Sequence, residues 1–556
     1  MKRFLSSLLS SLLGSALLLL ALSIPATGDE RPPNPAVDMI HYRFHLTLED
    51  HTDQIRGRAE ITVRFLQDSV VAFDLDLVDR GPEENTGMEV TTVSRDGTEL
   101  GFLHGDDRLE ISLASPSEAQ EWRTYTVNYQ GVPRDGLIIA TNRFGDRTFF
   151  GDNWPERARH WLPTVDHVSD KATVEWVVTA PEAYEVVGTG RLLERSDLGD
   201  GTELTHWICR VPVATKVMVI GVARFAMRNL GRVGQVPVQA WVYPQSREEG
   251  FHDFELAEKA VRFFTGHIGP FPYAKLANVQ SKTRYGGMEN ASNVFYSEGA
   301  VRGDRENEGL IVHEIAHQWF GDSVTELDWT HLWLSEGFAT YFTHLYNEFT
   351  YGRGRLVRGM TRDRDVVLRF HSRRPELALV PHQLTDPNEM LNRNVYQKGG
   401  WVLHMLRRQV GDEAFWDGIR TYYRRYRDRN ADTEDLRRVM EQASGQELEW
   451  FFQQWAHEPG HPVLTGGWSF DPSTGMLTVN VRQTQGSGTL FRFPLDIGVT
   501  AHGQDRAVPR VETVEVSRKD QTFSFPVEGE PEEVNLDPHT WLLFQGELTR
   551  VSGKGR

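Results

Sequence analysis

The feature that most narrows what this chain can become is a five-residue run, His313-Glu314-Ile315-Ala316-His317. Residues four apart share one face of an α-helix, so the run sets two imidazoles side by side with a carboxylate next to them. Ile311, Val312, Ile315, Ala316, Trp319 and Phe320 give the segment apolar faces to bury, and Gly321 ends it. Two histidines are an incomplete ligand set, because catalytic zinc takes three protein ligands and keeps one position open. Glu336, in WLSEGFATYF, follows with eighteen residues between it and His317. That interval predicts a helix, a loop and a return helix packed antiparallel. The apolar neighbours Leu334, Phe338 and Ala339 argue that Glu336 is buried rather than solvated. The expected centre is one Zn2+ per chain, held by His313, His317 and Glu336. Glu314 is not a ligand and stands beside the metal as general base. His331 and His344 lie on the same predicted helix and are read as ordinary satisfied polar groups. A second match, His457-Glu458-Pro459-Gly460-His461, is broken by proline and glycine, so its histidines share no helical face. It is read as a turn at a domain end.

Around this helix pair the texture changes twice. From about Val37 to Tyr243, alternating runs such as YRFHLTLE, AEITVRF, TYTVNY and ATVEWVV are separated by turn signals like Asp96-Gly97 and Asp200-Gly201. After Phe251 the spacing is helical, first in FELAEKAVRFFTGHIG, and from about His461 the β texture returns in MLTVNVRQT and QTFSFPV. With 556 residues and ~150 per domain, three or four domains are expected. The reading is a multidomain α+β protein. An N-terminal antiparallel β domain covers 29–243, a helix-rich catalytic domain 244–460, and a small C-terminal β-sandwich 461–556.

Composition excludes several partners. The chain has 60 basic and 78 acidic residues, a net charge of -18, and no basic surplus to neutralise phosphates, so nucleic acid is not expected. Apolar residues at 39% and charged residues at 25% do not suit a polytopic membrane protein. The single cysteine, Cys209, rules out an internal disulfide and a cysteine-rich zinc site, and reads as a small buried hydrophobe. Lys2 and Arg3, the apolar run Phe4 to Ile24, and the small residues Ala26, Thr27 and Gly28 read as a secretory signal peptide at 1–28. A retained N-terminal anchor is the alternative. The expected location is the periplasm or the extracellular space, with no stable membrane insertion once the signal is removed.

HEIAHQWFGD, followed at that interval by WLSEGFA, resembles the gluzincin zinc aminopeptidases, the aminopeptidase N and leukotriene hydrolase family. Gly286-Gly287-Met288-Glu289-Asn290, with 22 residues between Asn290 and His313, resembles that family's exopeptidase signature. Tyr396, in NVYQKGGWVLHML, resembles its catalytic tyrosine. ARHWLPTVDHVSDKATVEW and FFQQWAHEPGHPVL are weaker echoes, so the resemblance spans roughly 38 to 465. It implies a thermolysin-like catalytic domain that removes N-terminal residues from peptides with a free N-terminus. Gly286, Gly287, Met288, Glu289 and Asn290 would bind substrate, Glu289 pairing with the α-ammonium, and Tyr396 would donate to the oxyanion. Three departures stand out. Trp154 occupies the place where the family often has a second amino-group-binding glutamine or glutamate, leaving Asp152, Asn153 or Glu289 alone for that role. Ser335 stands where the family usually has asparagine. Only about 96 residues follow position 460, too few for the family's long helical C-terminal domain. An endopeptidase and an inactive peptidase-like scaffold are the competing functions; GGMEN speaks against the first, and the intact Glu314, Tyr396 and ligand set against the second.

Overall fold

The computed structural model describes residues 32–81, 85–384, 386–501 and 509–551. The expected signal peptide lies outside the described residues.

The first unit is built on an eight-stranded sheet. Its middle strands are Lys171–Pro181, Val37–Thr47, Ile55–Phe65 and Trp122–Val132, in that order. They are antiparallel except that Val37–Thr47 runs parallel to Lys171–Pro181, with Phe44 opposite Trp176. Alternation does what the sequence asks: Ala59, Ile61, Val63 and Phe65 are buried on one strand, and Tyr125, Val127 and Tyr129 on its neighbour. Trp161, from ARHWLP, stacks on Trp176 in this core at 5.8 Å.

The hairpin Ala226–Val233 and Val236–Val242 belongs elsewhere. It joins Leu276–Ser281, Asn293–Ser297 and Gly287–Met288 in a five-stranded sheet with the helices. The expected boundary at 243 therefore falls inside the helical unit. Alternating burial makes a hairpin look β-like wherever it pairs, so texture could not tell the two sheets apart. Gly287–Met288 is the edge strand, paired antiparallel with Phe295 and Tyr296 on one side only.

The helices follow in order: α1 Arg247–Phe254, α2 Ala257–His267, α3 Glu308–His317, α4 Trp333–Tyr351, α5 Arg353–His371, α6 Gly399–Val410, α7 Asp412–Tyr426 and α8 Thr433–Ser444. A π-helical turn, Asn394–Lys398, leads into α6. The C-terminal region forms a four-stranded and a three-stranded sheet. Leu477, Val479 and Val481 are buried in one sheet, and Phe493, Leu495 and Ile497 in the other. No helix among the described residues is long and apolar enough to cross a membrane. Cys209 is buried, as expected.

Candidate metal centre and substrate cleft

The α3 helix buries Ile311, Val312, Ile315 and Ala316, which turns His313, Glu314 and His317 toward α4. Its return partner places Glu336 in the first turn of α4, where a carboxylate also meets the positive end of the helix dipole. The three polar tips converge. His313 Nε2 lies 3.2 Å from Glu336 Oε2, His317 Nε2 lies 3.3 Å from the same oxygen, and the two Nε2 atoms are 3.1 Å apart. Tetrahedral zinc with bonds of about 2.0–2.1 Å needs ligand atoms about 3.3 Å apart, so the triangle fits that ion. His317 Nδ1 faces the Phe320 carbonyl and the Ser335 hydroxyl, each at 3.1 Å. A proton on Nδ1 leaves the Nε2 lone pair for metal, so Ser335 does useful orienting work here. Gly321, at φ +123°, permits this packing, since a Cβ there would come within 2.4 Å of the Ser335 hydroxyl.

Charges within the group are strongly coupled. Burial holds the His313 pKa below its usual value. Burial opposes protonation of His317 as well, but the Glu336 carboxylate prevails and lifts it to about 10. Burial alone would raise the Glu336 carboxyl; the adjoining His317 and His313 instead hold it well below the usual carboxylate range. Glu314 is pushed well up by burial, opposed by His317 and reinforced by Glu289 and Glu336. That is the direction a base requires if it is to hold a proton between two transfers.

A cleft of about 520 Å³ opens over these residues, lined by the Tyr285–Glu289 segment, α3, α4, Asp363, Leu391, Tyr396 and Gln397. Gly287 presses against Glu314: a Cβ at 287 would sit 2.5 Å from Glu314 Oε1. Gln318 clasps the same strand to the metal helix. Its amide donates to the Glu289 carbonyl at 2.7 Å and to Asp322 Oδ2 at 2.8 Å. The Glu289 carboxylate then lies within 4.8 Å of the ligand-type atoms of Glu314 and His317. Tyr396 donates its hydroxyl to Glu336 Oε1 at 2.9 Å, and its ring stacks on His313.

All the expected residues but one meet in or around this cleft. Asn290 does not: it is fully buried behind the strand, its carbonyl accepting from Asn293 N in a tight turn, and it is absent from the cleft wall. Asn153 is committed to the Thr215 and Met218 carbonyls and to Trp161 Nε1. Asp152 is buried against Arg157 and Arg284. Neither lines the cleft, whereas Trp154 does, so no second carboxylate or amide joins Glu289 from this segment. His331 is satisfied as expected, by Thr433 Oγ1; His344 is only half satisfied, its Nε2 bonded to Asp363 Oδ2 and its buried Nδ1 without a hydrogen-bond partner among the described residues. His457 and His461 form no metal-type cluster among the described residues.

Sequence reasoning missed Gln318, although it stands inside HEIAHQ, and a helix contact between Gly337 and Gly399. A Cβ at 337 would lie 2.8 Å from the Gly399 Cα, so α4 and the start of α6 touch through bare backbone. That contact lets Tyr396 reach Glu336.

A helix pair holding two histidines and a glutamate, with the Gly287–Met288 strand and Glu289 beside it, is the arrangement that the resemblance to gluzincin metallopeptidases implies. Residues 252–455 match the peptidase family M1 domain. The chain is 24% identical over 452 residues to a probable aminopeptidase 2 of Sulfurisphaera tokodaii, covering 75% of this chain and 54% of that protein. A leucyl aminopeptidase of Saccharolobus solfataricus is 22% identical, with 76% and 54% covered. The chain thus spans about half the length of these curated relatives. Among solved structures, a variant of the M1 zinc metallopeptidase of Deinococcus radiodurans superposes with a TM-score of 0.65 at 25% identity, covering 76% of this chain and 94% of that one. Aminopeptidase A of Legionella pneumophila shares the fold over 93% of this chain and 60% of its own, with a TM-score of 0.79 at 16% identity.

Proposed function

We propose that this chain is an exported aminopeptidase with one zinc ion, hydrolysing the first peptide bond of substrates that carry a free N-terminus. The observation that carries the reading is Glu289. It is a buried carboxylate at one end of a cleft whose wall, among the described residues, contains no lysine or arginine, next to a ready metal-ligand triangle. An α-ammonium supplies the missing counter-charge and fixes the scissile bond one residue away. The endopeptidase alternative leaves that carboxylate without a partner. Export is supported by the basic start and apolar run at 2–24.

His313, His317 and Glu336 would hold a zinc ion, which when bound would supply Lewis acidity at the scissile carbonyl and activate the attacking water. Glu314 takes the attacking water's proton on a carboxylate oxygen and returns it to the leaving amine nitrogen. The Tyr396 hydroxyl donates to the developing oxyanion. The free edge of the Gly287–Met288 strand is open to an extended peptide.

The test is a panel of aminoacyl anilides assayed with and without chelator, beside one peptide offered free and N-acetylated. Chelation should abolish hydrolysis and re-added zinc restore it, while acetylation blocks cleavage. Internal cleavage of the acetylated peptide would overturn the reading.

A further inference from the structure

The cleft extends well past the metal-ligand set, and its far end carries a charge that the chemistry above does not use. On α4, Thr340, Thr343 and His344 follow Glu336 along the cleft wall, and Asp363 of α5 stands behind His344. His344 Nε2 donates to Asp363 Oδ2 at 2.7 Å. Both side chains are nearly buried, 9% and 12% exposed. Asp363 Oδ1 has no hydrogen-bond or ion-pair partner among the described residues. Four carboxylates line this cleft, from Glu289, Glu314, Glu336 and Asp363. Three are assigned to the ammonium, the proton transfer and the metal. Asp363 remains.

Which part of a peptide reaches it follows from the edge strand. Glu289 stands beside His317, Gly287 touches Glu314, and Gly286 lies against Leu310. The strand therefore runs along α3 from its N-terminal to its C-terminal end. A peptide whose N-terminus sits at Glu289 and which pairs with this edge runs antiparallel, toward Leu310. That is also the end where antiparallel α4 presents His344. Eight residues separate Glu336 from His344, about 12 Å of helix. An extended chain advances about 3.3 Å per residue, and a lysine side chain adds about 6 Å. The second or third residue of the peptide bridges the gap, whereas everything upstream of the scissile bond is a single residue held at the other end.

We propose that Asp363, oriented by His344, forms a downstream subsite that selects peptides with lysine or arginine at position two or three. His344 holds one carboxylate oxygen of Asp363, a residue of the cleft wall, and the other oxygen has no partner among the described residues. A cationic side chain then meets a shielded, pre-oriented charge rather than a solvated one. The proposal rests on the aminopeptidase reading, since Glu289 sets the register.

The experiment uses the zinc-loaded full chain and pentapeptides of alanine with a single lysine moved through positions one to five. Hydrolysis of the all-alanine peptide tests the aminopeptidase reading by itself. The lysine effect tests the subsite. Lysine at position two or three should raise kcat/KM about tenfold over alanine there, glutamate should lower it, and Asp363→Asn should reduce the lysine-to-alanine ratio to near one. A ratio that survives in Asp363→Asn overturns the proposal. So does a wild-type lysine effect that is absent, confined to position one, or equal at every position, the last being diffuse attraction by an acidic cleft. Should Asp363→Asn fail to fold, the wild-type scan still decides between these outcomes.

Discussion

At the residue scale, Glu314 and Tyr396 can be separated from the ligands by what their loss leaves intact. On the proposed mechanism, Glu314→Gln keeps the three ligand residues and removes the base. Zinc should stay at one per chain after dialysis while kcat falls by about three orders of magnitude or more. Activity above a tenth of wild type would show that another group moves the proton. Tyr396→Phe should lower kcat about 10²–10³-fold with little change in KM, because an oxyanion donor acts mainly in the transition state. A raised KM at constant kcat would make Tyr396 a binding residue. The types and spacing of His313, Glu314, His317 and Glu336 were legible because a metal dictates both. The reason for Gly287 was not, since it lies in a clearance to Glu314 that forms only when a strand and a helix meet. Gln318 was invisible for the same reason: its role depends on a carbonyl 29 residues away. Asn290 shows the opposite error, a motif residue credited with substrate contact that the turn buries instead.

Between elements, two contacts place the tyrosine-bearing turn. One is the backbone approach of Gly337 and Gly399. Gly399→Ala puts a methyl 2.9 Å from the Gly337 Cα, and the helices must separate to admit it. We expect a stability loss of about 1–3 kcal/mol and a kcat loss as Tyr396 retreats from Glu336, read by urea unfolding and steady-state kinetics. The other is a buried imidazole pair. His371, at the end of α5, lies with Nδ1 2.8 Å from His461 Nδ1, and its Nε2 faces Asn394 Oδ1 at 2.9 Å, at the start of the π turn. His461 comes from the broken second motif, which reads in the sequence as a turn at a domain end. Burial, with Lys398 and His461 adding to it, pushes the His371 pKa down to about 3. Burial and Lys398 push that of His461 down to about 4. Both groups titrate near 6.5 in the unfolded chain, so between about pH 6.5 and 4 the unfolded state binds more protons. Stability is therefore full above about pH 6.5 and drains as pH falls toward 4. The thermal midpoint of chelated protein should drop across that window, and His461→Gln should flatten the drop. An unchanged slope in the variant would mean that the pair is not the acid-sensitive contact.

For the whole molecule, the succession of β, helical and β regions was legible from periodicity, but sheet membership was not. Alternation reports which face of a strand is buried and says nothing about its neighbour, so the Ala226–Val242 hairpin read as part of the wrong unit. Periodicity also could not say where the C-terminal sheets dock. They seat on α6, where Trp541 stacks on His404 at 4.5 Å, His404 Nε2 faces the Thr540 carbonyl at 2.8 Å, and Arg408 pairs with Asp496 at 2.9 Å. No residue of α6 or of the C-terminal sheets lines the cleft, whose wall among the described residues ends at Gln397. The region therefore buttresses the helix behind the tyrosine turn and, among the described residues, does not cover the mouth of the cleft. On the proposed reading, a peptide held at Glu289 runs outward past Leu310, and no described residue closes that path. We expect kcat/KM on a series sharing one N-terminal residue to rise from the dipeptide, as edge-strand pairing accumulates, and to level off rather than fall out to ~20 residues. If Glu289 holds the N-terminus as proposed, longer substrates should shorten one residue at a time, which mass spectrometry of the products reads directly. A sharp loss beyond four or five residues would mean that something closes over the cleft in solution, and a partner subunit would then be the first candidate to test by sedimentation.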